Sequence, residues 1–125
     1  MDTQEVGRKL VELCRQGKNL EAIDTLLAGE VVSEEAIESP AGPRVVNGID
    51  AVRKKNTWWV ESHEIHKHEV TGPFPNGDQF AVTFAYEVTA KTGPMAGKRM
   101  KMDEVAVYTV KNGKIVHEKF FYSMG

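Results

Sequence analysis

The sequence has one cysteine, Cys14, in 125 residues. That excludes an internal disulfide and fits a reducing compartment. No apolar run approaches the ~20 residues that a membrane-spanning helix needs. Charge of one sign is also lacking: 16 Lys and Arg stand against 18 Asp and Glu, a net charge of −2. A basic patch for nucleic acid or an anionic membrane is therefore not expected. The opening stretch, MDTQEVGRKL, lacks the apolar core of a secretory signal, so the expected location is cytoplasmic. No serine sits in a glycine-flanked elbow, and Gly93-Pro94 to Gly97 does not open a helix as a phosphate-binding loop would. These absences argue against hydrolase and nucleotide-binding chemistry. Repeats and low-complexity segments are missing too, and the length suits one domain spanning residues 1–125.

What the chain does have is concentrated in its last quarter. Lys98 to Tyr122 reads as two runs rich in Val, Ile, Tyr and Phe around Asn112-Gly113. Asn-Gly suits a type I′ turn, in which both central residues need positive φ. A two-residue turn places Lys111 opposite Lys114 and sets the register. One face then carries Asp103, Val105, Val107, Thr109, Val116, Glu118, Phe120 and Tyr122. The other carries Glu104, Ala106, Tyr108, Ile115, His117, Lys119 and Phe121, and is expected to be the wetter one. A bulge would exchange the faces. Glu118, a carboxylate in an apolar row, is the oddity of this hairpin.

The first half reads as helical. Val6, Leu10, Leu13 and Cys14 recur at helical spacing over 3–16, with Asp2 or Thr3 as cap and Gly17 as stop. Asn19 can cap a second helix that carries Leu20, Ile23, Leu26 and Leu27 and ends at Gly29. Residues 30–38 suit a short strand, and Ser39-Pro40-Ala41-Gly42-Pro43 a loop. Asn47 with Asp50 three residues on forms a capping box for a third helix, which has Ile49, Val52, Asn56 and Trp59 on one face. Strands are expected over 63–72 and 78–91, with turns at Gly72-Pro73 and Asn76-Gly77; Phe80, Val82, Phe84, Tyr86 and Val88 alternate strictly. Helices first and antiparallel strands afterwards argue for an α+β fold.

This order, with the segments NGIDAVR, NTWWVESHEIHKHEVTGPF and VYTVKNGKIVHEKFFY, resembles the SnoaL-like branch of the nuclear transport factor 2-like, or ketosteroid isomerase-like, superfamily over essentially the whole chain. The middle segment is similar to a subgroup without established function. The resemblance implies a cone: a strongly curved antiparallel sheet around three N-terminal helices, with an apolar pocket at the open end. It also implies a homodimer through the outer sheet face, expected here on Ala106, Tyr108 and Phe121. The superfamily includes steroid isomerases, polyketide cyclases, dehydratases and plain binding modules, so fold does not settle function. The isomerase pattern itself is absent. Its first-helix tyrosine falls on Leu10, its catalytic aspartate on Ser39 beside Glu38, and its oxyanion-binding aspartate near Val105. Cofactor-independent acid–base chemistry on a small apolar, carbonyl-bearing molecule stays open, with a non-catalytic ligand-binding or dimerisation module as the alternative.

Glu118 is the first site candidate, because burial would raise its pKa toward a range useful for proton transfer. The structural alternative is a carboxylate hydrogen-bonded to Tyr122, His66 or a backbone amide. Asp103 and Glu104 are adjacent in a strand, so only one can face inward. His66 and His68, two apart, would share a face, and His117 could add a third nitrogen for a metal. His66 is read instead as a cavity base or carboxylate partner, with no metal assigned. The catalytic set is thus Glu118, Asp103, His66 and Tyr122. The ligand-binding set is Trp58, Trp59, Phe84, Met102, Glu104 and Phe120, with Trp59 also suited to the core and Trp58 to the pocket mouth or a partner. Met95, Met100, Met102 and Met124 would form an adaptable apolar wall or fill the core. Cys14, on the apolar face of the first helix, is expected to be buried and inert.

Overall fold

A computed structural model describes residues 1–39 and 42–123. Pro40 and Ala41 of the expected loop, and Met124 of the expected methionine wall, lie outside the described residues. The element order is α1 (Thr3–Arg15), α2 (Asn19–Leu26), β1 (Leu27–Glu34), β2 (Val45–Asn47), α3 (Ile49–Ser62), β3 (His63–Asn76), β4 (Gln79–Ala90), β5 (Arg99–Lys111) and β6 (Lys114–Phe121). The strands form one six-stranded sheet in the order β2-β1-β6-β5-β4-β3. All neighbours are antiparallel except β1 and β6, which run parallel. The sheet curves around the helices without closing, which is the expected α+β cone.

The local reasons are readable at most element ends. Asp2 Oδ1 accepts the Glu5 N–H at 2.8 Å and caps α1. That helix buries Val6, Leu10, Val11 and Cys14 against the sheet. The second helix does not last to Gly29. Leu27 is already extended, and Leu26 and Leu27 both enter the core, so the chain passes directly into β1. That strand ends at Glu34, earlier than expected, with the Glu35 N–H still bonded to the Arg44 carbonyl at 2.7 Å, one step beyond the last β1–β2 pair. The capping box at Asn47 does not form either. Asn47 pairs with Val32 as the last residue of β2, and Gly48, at φ 92°, opens α3 without a side-chain cap. Gly72-Pro73 is not a turn but an irregularity between Thr71 and Phe74, within a strand that continues to Asn76.

One hydrophobic core draws on all three helices and the concave face of the sheet. Phe80, Val82, Phe84, Ala106, Tyr108, Val110 and Ile115 all belong to it. The Asn112-Gly113 turn forms as expected, with φ values of 52° and 76° and Lys111 opposite Lys114. Beyond the turn the faces are exchanged. Val110 pairs with Ile115 but Thr109 pairs with His117, so Val116 is an extra residue in β6. On β5 the concave face therefore carries Glu104, Ala106 and Tyr108, and on β6 it carries Glu118 and Phe120. Ala106 and Tyr108, expected at an outer dimer surface, are core residues; Val105 and Phe121 are the exposed pair outside. No helix among the described residues is long and apolar enough to cross a membrane.

Candidate functional site

Glu118 is buried, with 6 % of its surface exposed, in the middle of the concave face. Its register partner on β1 is Ser33, which is fully buried, and Ser33 Oγ donates to Glu118 Oε1 at 2.8 Å. Lys55 reaches down from α3 and donates to Ser33 Oγ at 2.5 Å and to Glu35 Oε2 at 2.8 Å. The Tyr122 hydroxyl donates to the other oxygen of Glu35 at 2.9 Å. Five side chains from β1, the segment after it, α3, β6 and the chain beyond β6 thus form one continuous polar chain. Its inner end is sealed, while Lys55 and Glu35 keep side-chain exposures of 17 % and 21 %.

Glu104 joins this cluster from β5, opposite Phe84 on β4. Burial pushes its pKa up to about 7, and the negative charges of Glu35 and Glu118 add to the rise while Lys55 opposes it. Glu118 is raised chiefly by burial; Lys55 and the Ser33 hydrogen bond pull the other way. Burial and the neighbouring Glu35 likewise hold the Tyr122 hydroxyl protonated. Three carboxylates therefore surround one ammonium group, and two of them have a raised affinity for protons. That combination allows a carboxyl group to take or give a proton near neutral pH.

The walls are aromatic. Phe84 and Tyr86 stack with centroids 6.1 Å apart, and Trp59 meets Tyr86 edge-on at 5.9 Å. Met102 is the register partner of Tyr86 on the same face. Lys55 Nζ lies 5.3 Å from the centre of the Phe120 ring. Trp59 also covers His63 at 3.9 Å, and Trp58 meets that same imidazole edge-on at 5.9 Å. Trp58 is thus tied to the end of α3 rather than to the carboxylates.

Two expected catalytic residues lie elsewhere. Asp103 is exposed and alternates with Glu104, so it faces outward. His66 is an extra residue in β3 between the pairs Ile65–Val88 and Lys67–Glu87, and this bulge turns it to the outer face, where its Nε2 meets Thr89 Oγ1 at 2.7 Å. His68 takes the opposite direction and meets the Arg15 carbonyl at 3.1 Å, so the two histidines do not share a face. His117 is paired with Glu34 at 2.9 Å. Among the described residues no group of three His, Cys, Asp or Glu side chains could hold a metal ion. Cys14 is buried with its thiol pushed up to about 12 by burial, as expected of an inert thiol. Leu10, at the isomerase tyrosine position, is plain core, and Val105 faces outward beside the inward Glu104.

Ser33, Glu35 and Lys55 were not among the expected site residues. A signal existed for Lys55: it stands at i+3 from Val52 and i−4 from Trp59, a cation within the apolar stripe of α3. Ser33 and Glu35 gave none, because their role depends on the parallel β1–β6 pairing. Two open surface grooves, of about 450 and 310 Å³, lie away from this cluster. They run between α1 and β3, around Arg15, Gly72 and Pro73 for one and His68 and Thr71 for the other.

Comparison with known proteins gives a consistent picture. Residues 1–122 match the family model of the SnoaL-like domain. A Mesorhizobium loti protein described as a SnoaL-like polyketide cyclase and also as a carbohydrate phosphatase is 45 % identical, with a TM-score of 0.89 over 98 % of this chain and 100 % of its own. A nuclear transport factor 2-like protein of Burkholderia thailandensis superposes with a TM-score of 0.80 at 18 % identity, over 98 % of this chain and 92 % of that one. A Bacillus subtilis protein assigned as an isomerase gives 0.75 at 13 %, over 98 % and 90 %. The last two likenesses concern the fold alone. No curated protein matches.

Proposed function

The chain belongs to the SnoaL-like domain family, and from that premise we propose that its concave face binds a small, mostly apolar, carbonyl-bearing molecule and catalyses cofactor-independent proton transfer on it. The observation that carries this reading is the placement of Glu104 and Glu118 on one concave face, both with raised pKa, with Lys55 over the Phe120 ring and Phe84 stacked on Tyr86. A carboxylate there would remove a proton next to the carbonyl. The Lys55 ammonium group and the Tyr122 hydroxyl are the donors suited to the oxygen that gains charge. Returning the proton at another carbon is isomerisation; attack by the carbanion within the molecule is cyclisation; loss of a β-hydroxyl is dehydration. Phe84, Met102, Trp59 and Phe120 would hold the apolar body. The Mesorhizobium loti relative, assigned as a cyclase, supports this class of chemistry.

The second reading is a non-catalytic binding or dimerisation module. It is favoured by the way Lys55 already satisfies both Ser33 and Glu35, leaving the cluster complete without a ligand. Native mass spectrometry of the purified protein separates the two when combined with a screen of carbonyl substrates. A bound organic molecule together with turnover supports the enzyme. Tight binding without turnover supports the module. A homodimer through the outer face, now centred on Val105 and Phe121, is compatible with either and is read from the same spectrum.

A further inference from the structure

The hydrogen bonds around Glu118 have a direction. Ser33 has a single hydroxyl proton and gives it to Glu118; its oxygen in turn receives a proton from Lys55. Lys55 gives another to Glu35, which also accepts from Tyr122. Glu118 is sealed, whereas Lys55 and Glu35 reach the partly exposed rim. A buried group that must gain and lose a proton needs a route to water, and this chain supplies one.

We propose that Ser33 and Lys55 form a proton relay that reloads Glu118 from solvent. This rests on the reading of Glu118 as a proton-moving group. In the loading direction the Ser33 hydroxyl proton passes to the Glu118 carboxylate as a Lys55 proton passes to Ser33 Oγ. The result is Glu118 carboxylic acid, an intact serine hydroxyl and a neutral Lys55 amine. The amine then takes a proton delivered by water through Glu35. The net change is one hydronium consumed, one water released and one carboxylate protonated. Unloading follows the same bonds in reverse. Ser33 is thus a positioning residue that acts through Glu118 and need not touch the substrate, while Lys55 carries the relay in addition to its proposed role as a donor to the substrate oxygen.

The test reads the proton directly and needs no turnover. Infrared spectroscopy follows the carboxylic C=O band of Glu118, identified by its loss in Glu118→Gln, while the protein is mixed rapidly into D₂O. Exchange in Ser33→Ala is expected to slow by at least about tenfold against wild type. Ser33→Thr, which keeps the hydroxyl, is expected to restore it, and Lys55→Gln to slow it as Ser33→Ala does. Should Ser33→Ala fail to fold, the Lys55→Gln and Ser33→Thr pair decides the matter. Wild-type exchange rates in Ser33→Ala or Lys55→Gln overturn the relay, and so does the absence of a protonated Glu118 band at any pH at which the protein is folded. Slow exchange in these variants together with no substrate turned over would remove the proposed enzyme and leave the relay standing.

Discussion

Ser33 and Glu118 are direct partners across the parallel β1–β6 pair, and their side chains meet at 2.8 Å in the core. A glutamate in that position loses its hydration, and burial is the first cause of its raised pKa. Replacing it by Gln keeps the shape and a hydrogen-bond acceptor for Ser33, so the fold should persist. Turnover in Glu118→Gln is expected to fall by about 10²–10⁴, the range for loss of a general acid or base. Steady-state kinetics with circular dichroism as the folding control checks this, and unchanged activity removes Glu118 from the reaction.

Glu104 makes a pH-dependent prediction. Its pKa rises from 4.5 to about 7 on folding, so the folded state holds the proton more tightly than the unfolded state. Stability from this group is complete below the unfolded value and is lost as pH climbs through the folded one. The wild type should therefore lose up to about 3 kcal/mol between these limits. Glu104→Gln should flatten that part of the profile. Urea denaturation across the acidic to neutral range gives the answer; a profile unchanged by the substitution would show that Glu104 is not the titrating group.

Lys55 lowers the proton affinity of both Glu104 and Glu118. Lys55→Met removes the positive charge that opposes the rise of Glu104 and leaves its two acidic neighbours, Glu35 and Glu118, in place. The Glu104 midpoint should then move above the value in wild type, as read by carboxyl carbon NMR titration. A downward move would mean that the cluster had opened to water. Removing Lys55 also leaves Glu35 without its cation, and since both side chains keep some exposure, the expected stability loss is only about 1–2 kcal/mol.

Part of this site was legible in the sequence. Glu118 stood out as a carboxylate in an apolar strand, and Asn112-Gly113 placed the hairpin to the residue. Two single-residue bulges were not legible. Val116 in β6 set Glu118 and Phe120 on the same face as Tyr108 and Ala106 instead of Val107 and Val105, and His66 in β3 turned its own side chain to the outer face. A bulge depends on how two strands settle against a curved core, and residue alternation alone does not carry that. Glu104 was chosen over Asp103 by the first of these bulges. Ser33 and Glu118 are 85 positions apart, and nothing local in either segment announces a parallel pairing.

Gly7 tests the packing that holds α1 on the sheet. A Cβ at this position would lie 2.8 Å from Pro73 Cβ and 3.2 Å from the Phe80 ring. Pro73 is a rigid ring and Phe80 is a fully buried core residue, so neither neighbour can easily yield. Gly7→Ala gains helix propensity but should still destabilise by about 1–3 kcal/mol, the usual cost of overpacking. Thermal denaturation would measure it. A neutral or stabilising result would mean that α1 can slide on β3 without loss.

The outer face of the sheet carries the last prediction. Val105 and Phe121 are register partners, exposed at 39 % and 47 %, with Val107 adjoining on β5. Two neighbouring apolar side chains on a face that no helix among the described residues covers would be shielded if a second copy packed there. A two-fold arrangement lets the same patch serve both partners. Sedimentation velocity at micromolar concentration is expected to show a dimer, and Phe121→Lys to shift it toward monomer without loss of helical signal. That substitution places a cation next to Lys119, whose ammonium already lies 5.4 Å from the ring centre, so it adds repulsion to the loss of apolar area. A wild-type protein that sediments only as monomer would mean that the patch is covered by something other than a second copy, or by nothing.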